Sequence, residues 1–157
     1  MLLKHFEGTA TTQIDAEPQA VFAALTDIAR LPEWNDRIAA VVQPPGGSLA
    51  PGAVWKVQMH VPPAKWVSVA TVRTYDPVTL RFAHRSQTDD GNPSYADWTW
   101  KVTPAGDGAQ LSVTWDINPR TFWRQLLFAK LRRRQLADEV PTSLAAIAAR
   151  SRQLSLS

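Results

Sequence analysis

The sequence predicts an α+β domain in which a seven-stranded antiparallel sheet wraps around a long C-terminal helix, with two short helices between the first two strands. Two observations carry this prediction: apolar residues alternate with polar ones in most of the chain before Pro119, and they recur at helical spacing after it. The links between the alternating segments are short and polar. Short links favour antiparallel pairing, with one face of the sheet buried and the other in water.

Most strands are predicted from alternation, and the second from a short apolar run over residues 38–42. In the third, Trp55, Val57, Met59 and Val61 fall on one face, and the polar residues between them on the other. Pro and Gly residues, as in the run Pro44-Pro45-Gly46-Gly47, interrupt the pattern between strands. The predicted strands are residues 9–15, 38–42, 53–61, 65–75, 79–86, 96–102 and 110–117.

Two short helices follow the first predicted strand. Pro18 suits the first turn of a helix, where its missing N–H costs nothing, and Val21, Phe22 and Leu25 recur at helical spacing after it. A second helix is predicted over residues 28–36.

The C-terminal helix is predicted to start near Pro119. Its apolar stripe consists of Phe122, Trp123, Leu126, Leu127, Leu131, Leu136, Val140, Leu144 and Ile147. Pro141 removes a backbone donor and crowds the preceding turn, so we expect a kink or short break there. The stripe must be buried against the concave face of the sheet. A long helix rarely fills a curved, aromatic-rich sheet completely, so we expect a cavity between them.

Length and composition indicate one domain spanning residues 1–157. The chain has no cysteine, which excludes disulfides, thiolate nucleophiles and Cys-ligated zinc. Its first eight residues are too few and too polar for a signal peptide, and no apolar run approaches the ~20 residues that cross a bilayer. We therefore expect a soluble, cytoplasmic protein.

Four short runs, in their order and spacing, are similar to a known superfamily. They are Ile14-Asp15-Ala16-Glu17-Pro18, the segment Asp27-Ile28-Ala29-Arg30-Leu31-Pro32-Glu33-Trp34-Asn35, the turn Tyr75-Asp76-Pro77, and Trp98-Thr99-Trp100 with Gly108. Over about residues 9 to 150 the chain resembles the START/Bet v1-like (SRPBCC) superfamily and, within it, the polyketide cyclase/dehydrase and lipid-transport family. The resemblance implies the helix-grip fold and a pocket. Pro141 departs from the family's usually continuous last helix.

The predicted pocket is apolar, as ligand sites commonly are. Seven tryptophans against two tyrosines indicate either a heavily packed core or an aromatic-lined cavity. The candidate ligand-binding residues are Trp55, Val57, Met59, Phe82, His84, Trp98, Trp100, Trp115, Phe122, Trp123 and Leu127. The alternative is that these side chains simply fill the core.

His84 is the candidate polar group of this pocket. It alternates with Leu80 and Phe82, so its side chain is expected on the apolar face, where burial should lower its pKa. It could orient a ligand carbonyl or hydroxyl, act as an acid or base, or serve only as a hydrogen-bonded core residue. Arg81, Arg85, Asp97 and Asp116 are predicted to point outward into solvent.

No cofactor or metal site is predicted. The three histidines are far apart in sequence, and no zinc-helix motif, calcium loop or phosphate-binding glycine loop is present.

The predicted C-terminal helix is basic near its start. Its cationic residues are Arg120, Arg124, Lys130, Arg132, Arg133 and Arg134. We interpret them as a solvated face balanced by Asp138 and Glu139; the alternative is contact with an anionic lipid or a phosphate-bearing partner. Nucleic acid is not expected, because the cluster is short and the formal net charge is only +3.

The sequence thus favours a monomeric or weakly dimeric module that binds a small hydrophobic molecule, such as a lipid, a polyketide-like compound or an isoprenoid. The first alternative is a cyclase or dehydratase that acts in the same cavity, and the second is a peripheral membrane or protein-interaction module. A carrier needs one anchoring group, whereas a cyclase needs an acid–base pair, and His84 is the one obvious inward ionisable residue.

Overall fold

The computed structural model describes residues 5–121 and 129–156, the latter without the side chains of residues 129–135, 138 and 156. Its elements are β1 (Phe6–Ile14), α1 (Pro18–Leu25), a 3-10 turn (Ile28–Arg30), α2 (Leu31–Trp34), β2 (Ile38–Gln43), β3 (Val54–Val61), β4 (Ala64–Asp76), β5 (Arg81–Thr88), β6 (Tyr95–Ala105), β7 (Gly108–Asn118) and α3 (Ala129–Leu156).

The strands form a seven-stranded sheet in the order β1-β7-β6-β5-β4-β3-β2, and every neighbouring pair is antiparallel. After β1, the chain crosses through the two short helices to β2 at the opposite edge. It then returns strand by strand to β7, which pairs with β1. The predicted fold class is confirmed.

The core lies between the sheet and α3. Leu136, Val140, Leu144 and Ile147, the described part of the predicted stripe, are at most 5% exposed, and they belong to the same apolar cluster as the inward side chains of the strands. Each such side chain contributes about 1.5–3 kcal/mol by leaving water. Helix α3 therefore packs on the concave face, as predicted.

The turn between β4 and β5 differs from the prediction. The Asp76 carboxylate accepts hydrogen bonds from the backbone N–H groups of Val78 and Thr79, at 3.0 and 3.1 Å. Leu80 then takes a positive φ of 58°, so the strand begins at Arg81 rather than at residue 79. A left-handed leucine is costly, and burial of its side chain, which is 7% exposed, offsets that cost.

The second helix is shorter than predicted. Instead of one helix over residues 28–36, the 3-10 turn leads into the single turn of α2, which ends at Trp34. Asn35 is extended, and its side-chain oxygen accepts the backbone N–H of Arg37 at 3.0 Å. Asn commonly diverts the backbone in this way.

Helix α3 runs through Pro141 without a break. Pro141 and Ala137, whose carbonyl Pro141 cannot bond, are both exposed, so water can satisfy that carbonyl. The predicted helix start at residues 122–128 lies outside the described residues, as do the side chains of Arg124, Lys130 and the three arginines at 132–134.

Candidate functional site

The strand register brings the predicted pocket residues together on the concave face. His84 pairs with Trp98, and Trp98 pairs with Trp115, across β5, β6 and β7. The row ends at Gly8 on β1, opposite Trp115. A Cβ atom at Gly8 would lie only 2.7 Å from Nε1 of Trp115, so the missing side chain makes room for the indole.

The rings on this face form a connected cluster. The ring centroid of His84 lies 5.2 Å from those of both Trp55 and Phe82, and 6.3 Å from that of Trp98. Trp98 in turn lies 6.4 Å from Trp100. Such separations are typical of attractive aromatic pairs. The cluster therefore surrounds the imidazole with apolar rings.

The described candidate lining residues differ in exposure. Trp55, Val57, Met59, Phe82 and Trp100 are buried. His84, Trp98 and Trp115 keep part of their surface accessible although they face inward. Phe122, Trp123 and Leu127 lie outside the described residues. That the set lines a ligand cavity stays a prediction.

The hydrogen bonds of His84 define its tautomer. The indole N–H of Trp100 lies 3.3 Å from Nε2 of His84. An indole nitrogen can only donate, so Nε2 must be the acceptor and carry no proton. In the neutral ring the proton is then on Nδ1. This Nδ1 atom is buried and has no hydrogen-bond partner.

Burial lowers the pKa of His84 from 6.5 to about 3, and the negative charge of Asp97 opposes this shift only weakly. A proton on Nε2 would also meet the N–H of Trp100 head-on. The predicted direction of the pKa shift is confirmed, and the imidazole is neutral at physiological pH.

Glu139 corrects the sequence interpretation. It was expected on the solvated face of the helix as a counter-charge, but it is 3% exposed, and its Oε1 accepts a hydrogen bond from Nδ2 of Asn35 at 3.1 Å. Its spacing contained the signal, because Glu139 lies three residues after Leu136 and one before Val140, within the apolar stripe. The interior therefore contains a second ionisable group.

The charged residues predicted to point into solvent lie on the outer face of the sheet, but two of them are paired with each other. Arg85 and Asp97 pair across β5 and β6 through two hydrogen bonds of 2.7 and 3.0 Å, and the Arg85 guanidinium lies 3.8 Å from the ring centroid of Tyr95. Both charges are half-buried and partnered rather than freely solvated. Arg81 is exposed.

Among the residues that the structure describes, one group of side chains could hold a metal ion. The ligand atoms of His5, Glu7 and Asp116 all lie within 4.8 Å of one another, because the β1–β7 register brings the two carboxylates side by side. Nδ1 of His5 already contacts Asp116 at 2.9 Å, and His5 and Glu7 are exposed. These contacts account for the grouping without an ion.

Two clefts among the described residues border the helices. One of about 560 Å³ lies between α1, the β4–β5 turn and the end of α3, and Phe22, Tyr75 and Leu80 are among its walls. A smaller one of about 240 Å³ lies between α2 and α3, beside Trp34 and Ala146. The candidate pocket residues line neither cleft.

Within residues 5–121 and 129–156, no helix combines the length and the apolar character needed to cross a bilayer.

Comparison with known proteins identifies close structural relatives at low sequence identity. A family model described as "Polyketide cyclase / dehydrase and lipid transport" matches residues 5–152. The solved structure of the Zhui aromatase/cyclase from Streptomyces sp. R1128 is similar, with a TM-score of 0.75 and 15% identity, covering 96% of this chain and 95% of that one. No curated protein sequence matches.

Two further structures share the fold. Ara h 8.0201 has a TM-score of 0.70 and 15% identity, covering 96% of this chain and 99% of that one. The di-domain ARO/CYC StfQ from the steffimycin biosynthetic pathway has a TM-score of 0.75 and 12% identity, covering 95% of this chain and 51% of that one. At such identities the likeness extends to the fold alone.

Proposed function

The chain belongs to the polyketide cyclase/dehydrase and lipid transport family, and we propose that it binds a small hydrophobic ligand that carries a hydrogen-bond acceptor, held on the concave face of the sheet. The observation that carries the proposal is the buried, unpartnered Nδ1 of His84. A lipid, polyketide-like compound or isoprenoid with a carbonyl or hydroxyl oxygen would meet this description.

The energetics of His84 support this proposal. A buried donor without an acceptor costs about 1–3 kcal/mol, which a ligand oxygen would recover on binding. Because Nδ1 carries the proton, the ligand group must accept. The apolar rings around the imidazole strengthen such a bond by excluding water.

The partial exposure of Trp98 and Trp115 also supports the proposal. Both side chains lie on the same face of the sheet as His84, yet neither is fully covered. Large indoles with accessible surface beside a polar atom match the usual composition of a ligand site, in which apolar walls surround a few polar groups.

A matched pair of probes tests the role of His84. Acetylnaphthalene offers one acceptor, and isopropenylnaphthalene replaces its oxygen with a CH₂ group of the same shape. We expect calorimetry to show the ketone binding more tightly by about 1–3 kcal/mol, roughly fivefold to 150-fold. His84→Phe should remove this preference and leave the hydrocarbon's affinity unchanged.

Ser86→Ala is the control. Ser86 Oγ accepts the indole N–H of Trp98 at 3.3 Å, as His84 accepts that of Trp100. Ser86→Ala therefore removes the acceptor of an indole N–H, as His84→Phe does, but it keeps the unpartnered Nδ1–H of His84. This variant should retain the preference for the ketone. Equal affinities of ketone and hydrocarbon for the unmodified protein would overturn the proposal.

A second candidate function is catalysis in the same interior, as a cyclase or dehydratase. Glu139 favours it, because a buried carboxylate on α3 together with His84 provides the two ionisable groups that acid–base chemistry requires. Incubation with a poly-β-keto thioester tests it. If the protein is an enzyme, Glu139→Gln abolishes the cyclised product while the substrate still binds. If it is a carrier, no cyclised product forms above the uncatalysed level.

A further inference from the structure

Besides Nδ1 of His84, three buried side-chain atoms within residues 5–121 and 129–156 make no hydrogen bond. One is Nε of Arg37, which has an ionic partner in the Asp36 carboxylate 3.8 Å away. The other two are the indole nitrogen of Trp34 and the hydroxyl of Ser143. Their residues are only 8% and 4% exposed. Native structures leave few such groups unsatisfied, so each requires an explanation.

Trp34 contacts Trp100, the residue that hydrogen-bonds His84. The rings of Trp34 and Trp100 meet edge to face, with centroids 6.2 Å apart and an interplanar angle of 80°. Trp100 also donates its indole N–H to His84. Trp100 therefore contacts both of the residues whose ring N–H groups lack an acceptor.

Ser143 lies on the face of α3 that meets α2. Glu139 contacts Asn35, and Ala146 lines a cleft together with Trp34, so α2 faces this stretch of α3. Ser143 follows Glu139 by four residues and precedes Ala146 by three, which places it on the same helical face. Its hydroxyl and the Trp34 indole therefore belong to one region between the two helices.

We propose that the ligand carries a second hydrogen-bond acceptor. The Trp34 indole N–H donates a hydrogen bond to it, and the Ser143 hydroxyl donates another. This inference rests on the proposed function and narrows the ligand class to apolar molecules with oxygens at two separated positions. The Trp34 nitrogen can only donate, so the second ligand group must also accept. Glu139 and Asn35 already bond each other, which fixes the adjoining part of α2 against α3.

A second pair of probes tests this inference in the full chain. Diacetylnaphthalene has acetyl groups on opposite rings, and acetyl(isopropenyl)naphthalene replaces one oxygen with a CH₂ group of the same shape. We expect the diketone to bind the unmodified protein about tenfold more tightly, the cost of one stranded donor. Trp34→Phe keeps an aromatic ring beside Trp100 but removes the N–H, and it should reduce the ratio to about twofold or less.

Two variants keep the test decisive. Ser143→Ala removes only a hydroxyl and should also lower the ratio, so the inference remains testable if Trp34→Phe fails to fold. Trp66→Phe is the matched control, since it removes an indole from the half-buried β4 position, and it should leave the ratio unchanged.

The outcomes separate this inference from the proposed function. If acetylnaphthalene binds through His84 but the diketone gains nothing, or if its gain survives both Trp34→Phe and Ser143→Ala, the second acceptor is wrong and the first stands. If no ketone binds better than its hydrocarbon analogue, both proposals are overturned.

Discussion

On the convex face of the sheet, Arg85 and Asp97 satisfy each other through two short hydrogen bonds, whereas on the concave face the adjacent His84 leaves a buried nitrogen without a partner. The two faces are built from the same strands, and successive residues point to opposite sides. This pair of charges at the water boundary is thus satisfied within the protein, while the drier interior retains an unsatisfied donor. That difference directs the search for a ligand to the concave face.

The largest effect that the comparison predicts is on pH-dependent stability. Between about pH 6.5 and 3 the unfolded chain protonates His84 but the folded protein does not, so the unfolded state binds more protons. The free energy of unfolding should therefore fall as the pH falls through this window, by up to about 1.4 kcal/mol per pH unit from this residue. Above about pH 7.5 this contribution is constant.

Urea unfolding of the unmodified protein and of His84→Phe at several pH values measures this contribution. The variant should lack it, so the difference between the two curves should change with pH. Parallel curves from pH 7 to pH 4 would mean that His84 titrates normally in the folded protein, and the concave face would not be as dry as its burial indicates.

A smaller effect is expected at Gly8. Gly8→Ala introduces a methyl group into the space of the Trp115 indole, which must rotate away from β1. Overpacking of this kind costs about 1–3 kcal/mol, measured as a lower free energy of unfolding. Thr11→Ala, on the opposite face of the same strand, is the control and should cost less than about 1 kcal/mol. An equal cost at the two positions would show that Trp115 has no fixed place on the concave face.

The smallest effect is expected from the convex pair. Arg85 and Asp97 are 29% and 36% exposed, so water and salt weaken their attraction. Arg85→Gln should lower the free energy of unfolding by less than about 1 kcal/mol and leave the affinity for acetylnaphthalene unchanged. A loss of ligand affinity in this variant would mean that the two faces are not independent.

Most of the fold could be predicted from the sequence because alternation is a local signal repeated over many residues. Trp55, Val57 and Met59 alternate with polar residues in the sequence, and all three are buried, because every second side chain of a strand points to the same face. The predicted start of β5 was wrong because Leu80 adopts a left-handed conformation, which leucine by itself disfavours. The Asp76 turn and the burial of the Leu80 side chain stabilise that conformation, and neither can be read from the leucine alone.

The candidate site was predicted less completely. The inward position of His84 followed from its strand, but its tautomer depends on Trp100, which reaches it only through the pairing of β5 with β6. Glu139 was misplaced because its charge was given more weight than its helical spacing. The unsatisfied atoms of Trp34 and Ser143 are properties of packing, and no sequence pattern marks them.

The most direct test of the central claim is the protonation of the His84 imidazole, observed by nitrogen-15 NMR at neutral pH. We predict a proton on Nδ1, an unprotonated Nε2 that accepts from Trp100, and a change in the Nδ1–H signal when acetylnaphthalene is added but not when isopropenylnaphthalene is added. Two results would contradict the claim that His84 donates a hydrogen bond to the ligand. One is a proton on Nε2, and the other is an Nδ1–H signal that stays unchanged when the ketone binds.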